Sequence, residues 1–294
     1  MMASTSEGMR VEADIDWLAA TYNQGDLQRR LPFFLLSERH FDAGSSRFYP
    51  VVRRYECGAM VSYGRTEQQG AQVQFGGTAI RNVRRTYGLD ALSILQNVRS
   101  NSRKVSRIDV YADVHNGELD IELLARQSVL DEYLVSSAKS SRYIREGNEG
   151  GEGLYIGTRR SKRFVRIYDK GFEMNLDNYR KGSHLRIELQ NNQQHARRVA
   201  AMLTDGDSGI SMIPIIINSF AHFDMEAWRV PMGQVAVSPP PLRGEESSDK
   251  RWEWLSKTVA PSIARYVHEF PESAHELNRI ISEHLRSLGS DVEG

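Results

Sequence analysis

The chain has 294 residues, 40% of them hydrophobic, which is enough to bury a core, and its single cysteine, Cys57, excludes an intramolecular disulfide and a cysteine-rich zinc site. Its 38 basic and 38 acidic residues cancel, which argues against a general electrostatic nucleic-acid binder. No apolar run approaches the roughly 20 residues that span a bilayer, and the first residues lack a secretory pattern, so the expected location is the cytoplasm.

The neutral total hides two opposite segments. From Arg159 to Lys170 there are six basic residues (Arg159, Arg160, Lys162, Arg163, Arg166, Lys170) against Asp169 alone, a balance of +5. From Glu245 onward ten acids oppose six basic residues, a balance of −4.

In chain order, residues 1–13 read as a disordered tail and Ile15 to Tyr22 as a strand. A helix is expected from Asp26 to Ser37, with Asp26 as its N-cap. Aromatic and β-branched residues around Gly58 predict a hairpin over Phe48–Glu56 and Met60–Tyr63, and Ala71–Phe75 continues the sheet up to Gly76-Gly77. Helices at 78–87 and 89–99 follow. The second half repeats the order: a strand at Val105–Val114, a helix at 119–138, a hairpin over 153–170, a strand at 184–190 and a helix at 192–203. Ser211 to Asp224 reads as a helix with an apolar face. The stretch PPPLRGEESS marks 233–248 as a linker, and 249–294 as an appendage of two helices carrying Trp252, Trp254, Ile280 and Leu285.

The expected fold is therefore α+β: an antiparallel-rich mixed sheet with helices on one face. It consists of a core over 14–232, built from two strand-helix-hairpin-strand-helix units at 14–100 and 101–232.

Strand alternation gives the core a chemical character. In RIDVYAD, Ile108, Val110 and Ala112 point one way, and Arg107, Asp109, Tyr111 and Asp113 the other. The same division in FVRIYDK and HLRIELQ places Arg166, Tyr168 and Lys170 on one face, and His184, Arg186, Glu188 and Gln190 on one face. If the three strands share a sheet, carboxylates, cations and the phenol of Tyr168 converge. Carboxylates joined by a histidine or glutamine suit a hard cation such as Mg²⁺ or Mn²⁺, which polarises a phosphoryl oxygen. Tyr168 then fits a nucleophile, with Arg166 and Lys170 favouring its phenolate.

Each residue also has a plain structural reading. Arg-x-Glu on a strand makes cross-strand ion pairs, a strand tyrosine follows β-propensity, and RRSKR makes a solvated turn.

The ordered set IDWL at 15–18, FGGTAIR at 75–81, SRIDVYAD at 106–113, LYIGTRRSKRFVRIYDKG at 154–171 and HLRIELQ at 184–190 resembles the replication initiation factors of rolling-circle plasmids and integrative elements. RWEWLSKTVAPSIARY at 251–266 is similar to a segment that follows the core in members from mobile elements. The resemblance implies an origin-nicking and strand-joining endonuclease, relaxase-like, that forms a 5′-phosphotyrosine bond with a divalent metal, Mg²⁺ or Mn²⁺. Carried over residue by residue, the tyrosine falls on Tyr168, flanked by Arg166 and Lys170, and the metal on Asp109 and Glu188, with Asp113 as a third carboxylate. From their charge and placement, Arg107, Arg159, Arg160, Lys162, Arg163 and Arg186 are expected to contact DNA. The implied partners are origin DNA, single-stranded at the nick, with a helicase and a second copy of the chain as further candidates and no membrane. Two rivals stay open at this level: a metal nuclease using water, with Tyr168 structural, and a non-catalytic DNA-binding regulator.

Overall fold

A thirteen-residue strand, β1 (Arg10–Tyr22), lies at the centre of the sheet, with Leu18, Ala20 and Tyr22 buried on the side that helices cover. Residues 10–13 of the expected tail belong to β1, and residues 1–7 lie outside the described residues. The computed structural model describes residues 8–117, 119–129, 134–136, 138, 140–145, 151–174, 181–206, 208–233 and 279. The chain divides into two units, Met1–Ser238 and Pro239–Gly294. The linker expected beyond Gly233 and the C-terminal helices lie outside the described residues, apart from Arg279.

After β1 the first half runs α1 (Leu27–Arg30), α2 (Phe33–Ser37), β2 (His40–Asp42), β3 (Val51–Tyr55), β4 (Met60–Tyr63), β5 (Ala71–Gly76), α3 (Gly77–Tyr87) and α4 (Ala91–Asn101). The second runs β6 (Lys104–His115), α5 (Ile121–Val129), β7 (Leu134–Ser136), β8 (Ser141–Arg145), β9 (Glu152–Ile156), β10 (Arg163–Asp169), α6 (Lys170–Glu173), β11 (His184–Asn192), α7 (Gln194–Thr204), a 3₁₀ turn (Gly209–Met212), α8 (Ile213–Asn218), β12 (Ala221–Phe223) and α9 (Glu226–Met232).

Three expected helices are changed. The one over 26–37 is two short pieces, because Pro32 cannot donate to the ladder. Asp26 makes no side-chain cap and instead pairs with Arg30 at 3.8 Å. The helix expected over 119–138 ends in the described residues at Val129, and that over 211–224 stops at Asn218, where Trp228 Nε1 donates to the Asn218 side chain at 2.8 Å and the chain turns into β12. Elsewhere local signals decide the ends. Asp90 caps α4 by accepting from the Ser93 amide at 2.8 Å, and Gly88, at φ 69°, closes α3 with a left-handed turn.

Among the described residues, ten strands form one antiparallel sheet in the order β2-β3-β4-β5-β1-β6-β11-β10-β9-β8. The order is symmetric about the β1–β6 pair, with five strands from each half. Helices α3 and α4 pack on β5 and β1, and α7 and α8 on β6 and β11. The α+β architecture with helices on one face is as the alternation predicts. Between the layers lie Phe75, Ile108, Val110, Ile187, Leu189, Ile94, Leu95, Val199 and Ile217, all essentially dry. Each such side chain contributes about 1.5–3 kcal/mol by leaving water. Among the described residues, no helix is long and apolar enough to cross a membrane.

Candidate active site on the open face of the sheet

The three polar-faced strands are immediate neighbours, in the order β6-β11-β10. Asp113 stands opposite Arg186, and Arg186 opposite Tyr168. One step along, Tyr111 faces Glu188 and Glu188 faces Arg166, and beyond them Asp109 faces Gln190. Directly opposed residues share a face, so the alternation read in each strand adds up to one surface.

That surface is drier than its composition suggests. Asp109, Glu188 and Asp113 are 1%, 2% and 5% exposed, and each is met by an arginine. Arg107 Nε donates to Asp109 Oδ1 at 2.9 Å, Arg166 Nη2 to both oxygens of Glu188 at 2.5 Å, and Arg186 to Asp113 through Nε and Nη2 at 2.7 Å each. A buried carboxylate without such a partner is strongly destabilising. Asp109 and Glu188 therefore carry guanidinium counter-ions where a metal was expected.

Burial still dominates Asp109. It pushes the carboxyl up to about 6 against the pull of Arg107, and the charges of Glu188 and Asp16 push in the same direction. Asp16 is brought in by a β-bulge: Ile15 pairs Val110 and Trp17 pairs Asp109, leaving Asp16 as the extra residue, 3.4 Å from Arg186 Nη1.

Tyr168 is half-buried, with Arg166 5.6 Å and Lys170 5.8 Å from its ring centroid. Its phenol is raised above its ordinary value, chiefly by burial and then by the charge of Glu188, which Arg186 and Arg166 only partly oppose. Arg166 thus favours the phenolate, as expected, but burial and the carboxylate charge outweigh it. Arg166 is engaged by Glu188, and Lys170, at the start of α6, by Glu173.

The structure assembles a donor set that the strands do not announce one by one. His115 ends β6 and His184 begins β11, directly opposite each other, with ring centroids 4.1 Å apart. Donor atoms of Asp113, His115 and His184 lie within 4.8 Å of one another, and His184 Nε2 is 3.4 Å from Asp113 Oδ2. Both Nε2 atoms are buried without a hydrogen-bond partner. Orphaned imidazole nitrogens beside a carboxylate fit a divalent cation. Burial, together with His184 and Arg10, holds the His115 imidazole below its ordinary value and so in the neutral form that ligates. The pairing was readable only by extending β6 one residue beyond Val114, which puts His115 on the face of Asp113.

The six residues expected to contact DNA fall into three groups. Arg159, Arg160 and Lys162 lie exposed in the β9–β10 turn. Arg107 and Arg186 are held by Asp109 and Asp113, and Arg186 also lies 3.7 Å over the Tyr111 ring. Arg163 is on the helix-covered side: it pairs with Asn191, lies 4.5 Å over Phe220, and burial lowers it to about 10. Its guanidinium thus packs on Phe220 and Asn191, on the side away from the open face.

Comparison with known proteins agrees with this architecture. A search of curated proteins finds no match. A solved structure of a rolling-circle replication initiator protein from Geobacillus stearothermophilus is similar in fold, with a TM-score of 0.61 at 18% identity, covering 78% of this chain and 90% of that one. The family model described as replication initiation factor matches residues 103–281, a span that holds β6, the exposed basic turn, Tyr168 and β11. With 179 of its 294 residues matched, the chain belongs to the replication initiation factor family.

Proposed function

We propose that this chain nicks one strand of replication-origin DNA to start rolling-circle replication, with Tyr168 as the nucleophile and a 5′-phosphotyrosine bond as the intermediate. The observation that carries the reading is the row Asp113–Arg186–Tyr168 across three adjacent strands, with His115 and His184 beside it. Tyr168 and Asp113 stand two strands apart, roughly 10 Å at the usual spacing, which leaves room for one phosphate above Arg186.

In this reading Tyr168 Oη attacks the phosphorus, the bond to the 3′ oxygen breaks, and the released 3′-hydroxyl primes synthesis. Arg186 and Arg166 oppose the burial that keeps the phenol protonated and stabilise charge on the phosphoryl oxygens. Asp113, His115 and His184 would hold a divalent ion, which supplies Lewis-acid polarisation of the scissile phosphate when bound. Two imidazoles and one carboxylate suit Mn²⁺ better than Mg²⁺. Asp109 and Glu188 then act as positioning residues, setting Arg107 and Arg166. The exposed turn at Arg159, Arg160 and Lys162 holds backbone phosphates several nucleotides away.

The raised phenol of Tyr168 favours one rival, a metal nuclease that activates water. Mixing the protein with origin-containing single strands and Mn²⁺ separates the two. A covalent protein–DNA adduct lost in Tyr168→Phe and kept in Tyr111→Phe supports the tyrosine mechanism. Nicking of supercoiled plasmid with no adduct supports the rival.

A further inference from the structure

One row of directly opposed residues crosses seven strands on the open face. Asn192 faces Arg107, Arg107 faces Ala19, Ala19 faces Gln74, Gln74 faces Met60, Met60 faces Arg54, and Arg54 faces Phe41 on the edge strand β2. At about 4.8 Å per strand the row is roughly 29 Å long. We propose that the part of this row in the first half of the chain, from Gln74 to Phe41, is a binding track for single-stranded DNA leading away from the nick site. The proposal rests on the nickase reading for the identity of its ligand.

The chemistry of the row suits unpaired bases. Phe41 is 56% exposed and Arg54 is exposed, its Nη2 3.9 Å from the Met60 sulfur. An aromatic ring beside a guanidinium offers bases a stacking face and a cation at once. Gln74 is half-buried and donates through Nε2 to Gln72 Oε1 at 2.6 Å, which fixes its amide for hydrogen bonds to a base edge.

Charge points the same way. From Gly76 on β5 through β4 and β3 to Phe41, the strand residues that share this face include no carboxylate. Asp42 pairs with Arg53 on the opposite face.

The start of the track is held rigidly. The Arg107 guanidinium lies 5.1 Å over the Trp17 ring, and a Cβ at Gly76 would come within 3.1 Å of the indole. A larger residue at Gly76 would press on the indole, which stands between Asp109 and Gly76 in the ladder. The face is continuous with the candidate active site through Arg107, which is paired with Asp109.

The test is a fluorescence-anisotropy titration of the full chain with fluorescein-labelled oligo(dT) across a salt series. Phe41→Ala is expected to weaken binding about tenfold with an unchanged salt slope, since stacking is lost and no phosphate contact is. Arg54→Ala is expected to weaken binding and lower the slope by about 0.7. Both residues are exposed, so folding is retained, and an unchanged melting temperature checks it. Wild-type affinity in the Phe41→Ala/Arg54→Ala double variant overturns the proposal. So does a change in sedimentation with oligo(dT) binding untouched, which would make the face a protein interface. The titration needs no chemistry: if Tyr168→Phe still forms the adduct while the track variants lose affinity, the tyrosine assignment falls and the track stands.

Discussion

His115 and His184 face each other across the β6–β11 ladder with both Nε2 atoms buried and without a hydrogen-bond partner, and Asp113 beside them. Mn²⁺ binding, followed by calorimetry or by loss of the free-ion spectroscopic signal, is expected to fall at least tenfold in either His115→Ala or His184→Ala. Asp109→Asn is expected to leave it nearly unchanged. The depressed His115 pKa means that proton competition from this imidazole begins only below its ordinary value of 6.5. The same depression has a stability sign. As pH falls through 6.5 the unfolded chain protonates His115 before the native protein does, so this residue's contribution is lost on acidification, and His115→Gln removes that component.

Asp109 behaves oppositely. Its carboxyl is raised from 3.8 to about 6, so the native protein holds a proton that the unfolded chain has released between those values. Ionised Asp109 therefore costs stability above about pH 6, and the cost vanishes below about pH 4. Asp109→Asn is expected to stabilise the protein at neutral pH by roughly 1–3 kcal/mol in urea unfolding, with no gain near pH 4. Nicking should weaken in the same variant, because Arg107 loses its anchor.

Arg186 holds Asp113 through two hydrogen bonds and approaches Asp16. Arg186→Met leaves Asp113 buried without its cation and is expected to cost about 3–5 kcal/mol at neutral pH. Arg186→Lys keeps the charge but loses the two-point grip, and should fall between that variant and wild type. A denaturant series on both variants checks the order.

Arg159, Arg160 and Lys162 are exposed together on the β9–β10 turn, so removing all three should lower the salt slope of single-strand binding by about 2. Arg163→Ala, one residue further on, should leave that slope alone and lower the melting temperature, because its guanidinium lies on Phe220. A slope change in Arg163→Ala would reverse the assignment of these side chains.

The faces of the site strands were legible and their neighbourhood was not. Period-two alternation in RIDVYAD, FVRIYDK and HLRIELQ placed Asp109, Tyr168 and Glu188 correctly, since parity survives wherever a strand is regular. Pairing order is a long-range property, and nothing local to β6 says that β11, some 80 residues on, will lie beside it. Asp16 and Trp17 were missed for a different reason. The bulge at Asp16 switches the parity of β1, sending Leu18 to the core and Trp17 to the open face, which simple alternation cannot foresee. The broken helix over 26–37 was readable in principle, because Pro32 sits in the middle of it.

The β1–β6 pair at the centre of the sheet makes the two halves inseparable. β1 gives one edge to β5 and the other to β6, and β6 gives its second edge to β11. A chain cut between Asn101 and Lys104 would leave each fragment with a long, bare strand edge flanked by apolar residues, the kind of surface that recruits other chains. Either fragment made alone should aggregate, while the two made together can restore the ladder. During synthesis the first half must wait with β1 half-paired until β6 emerges, and only then can the polar row that ends at Tyr168 begin to form.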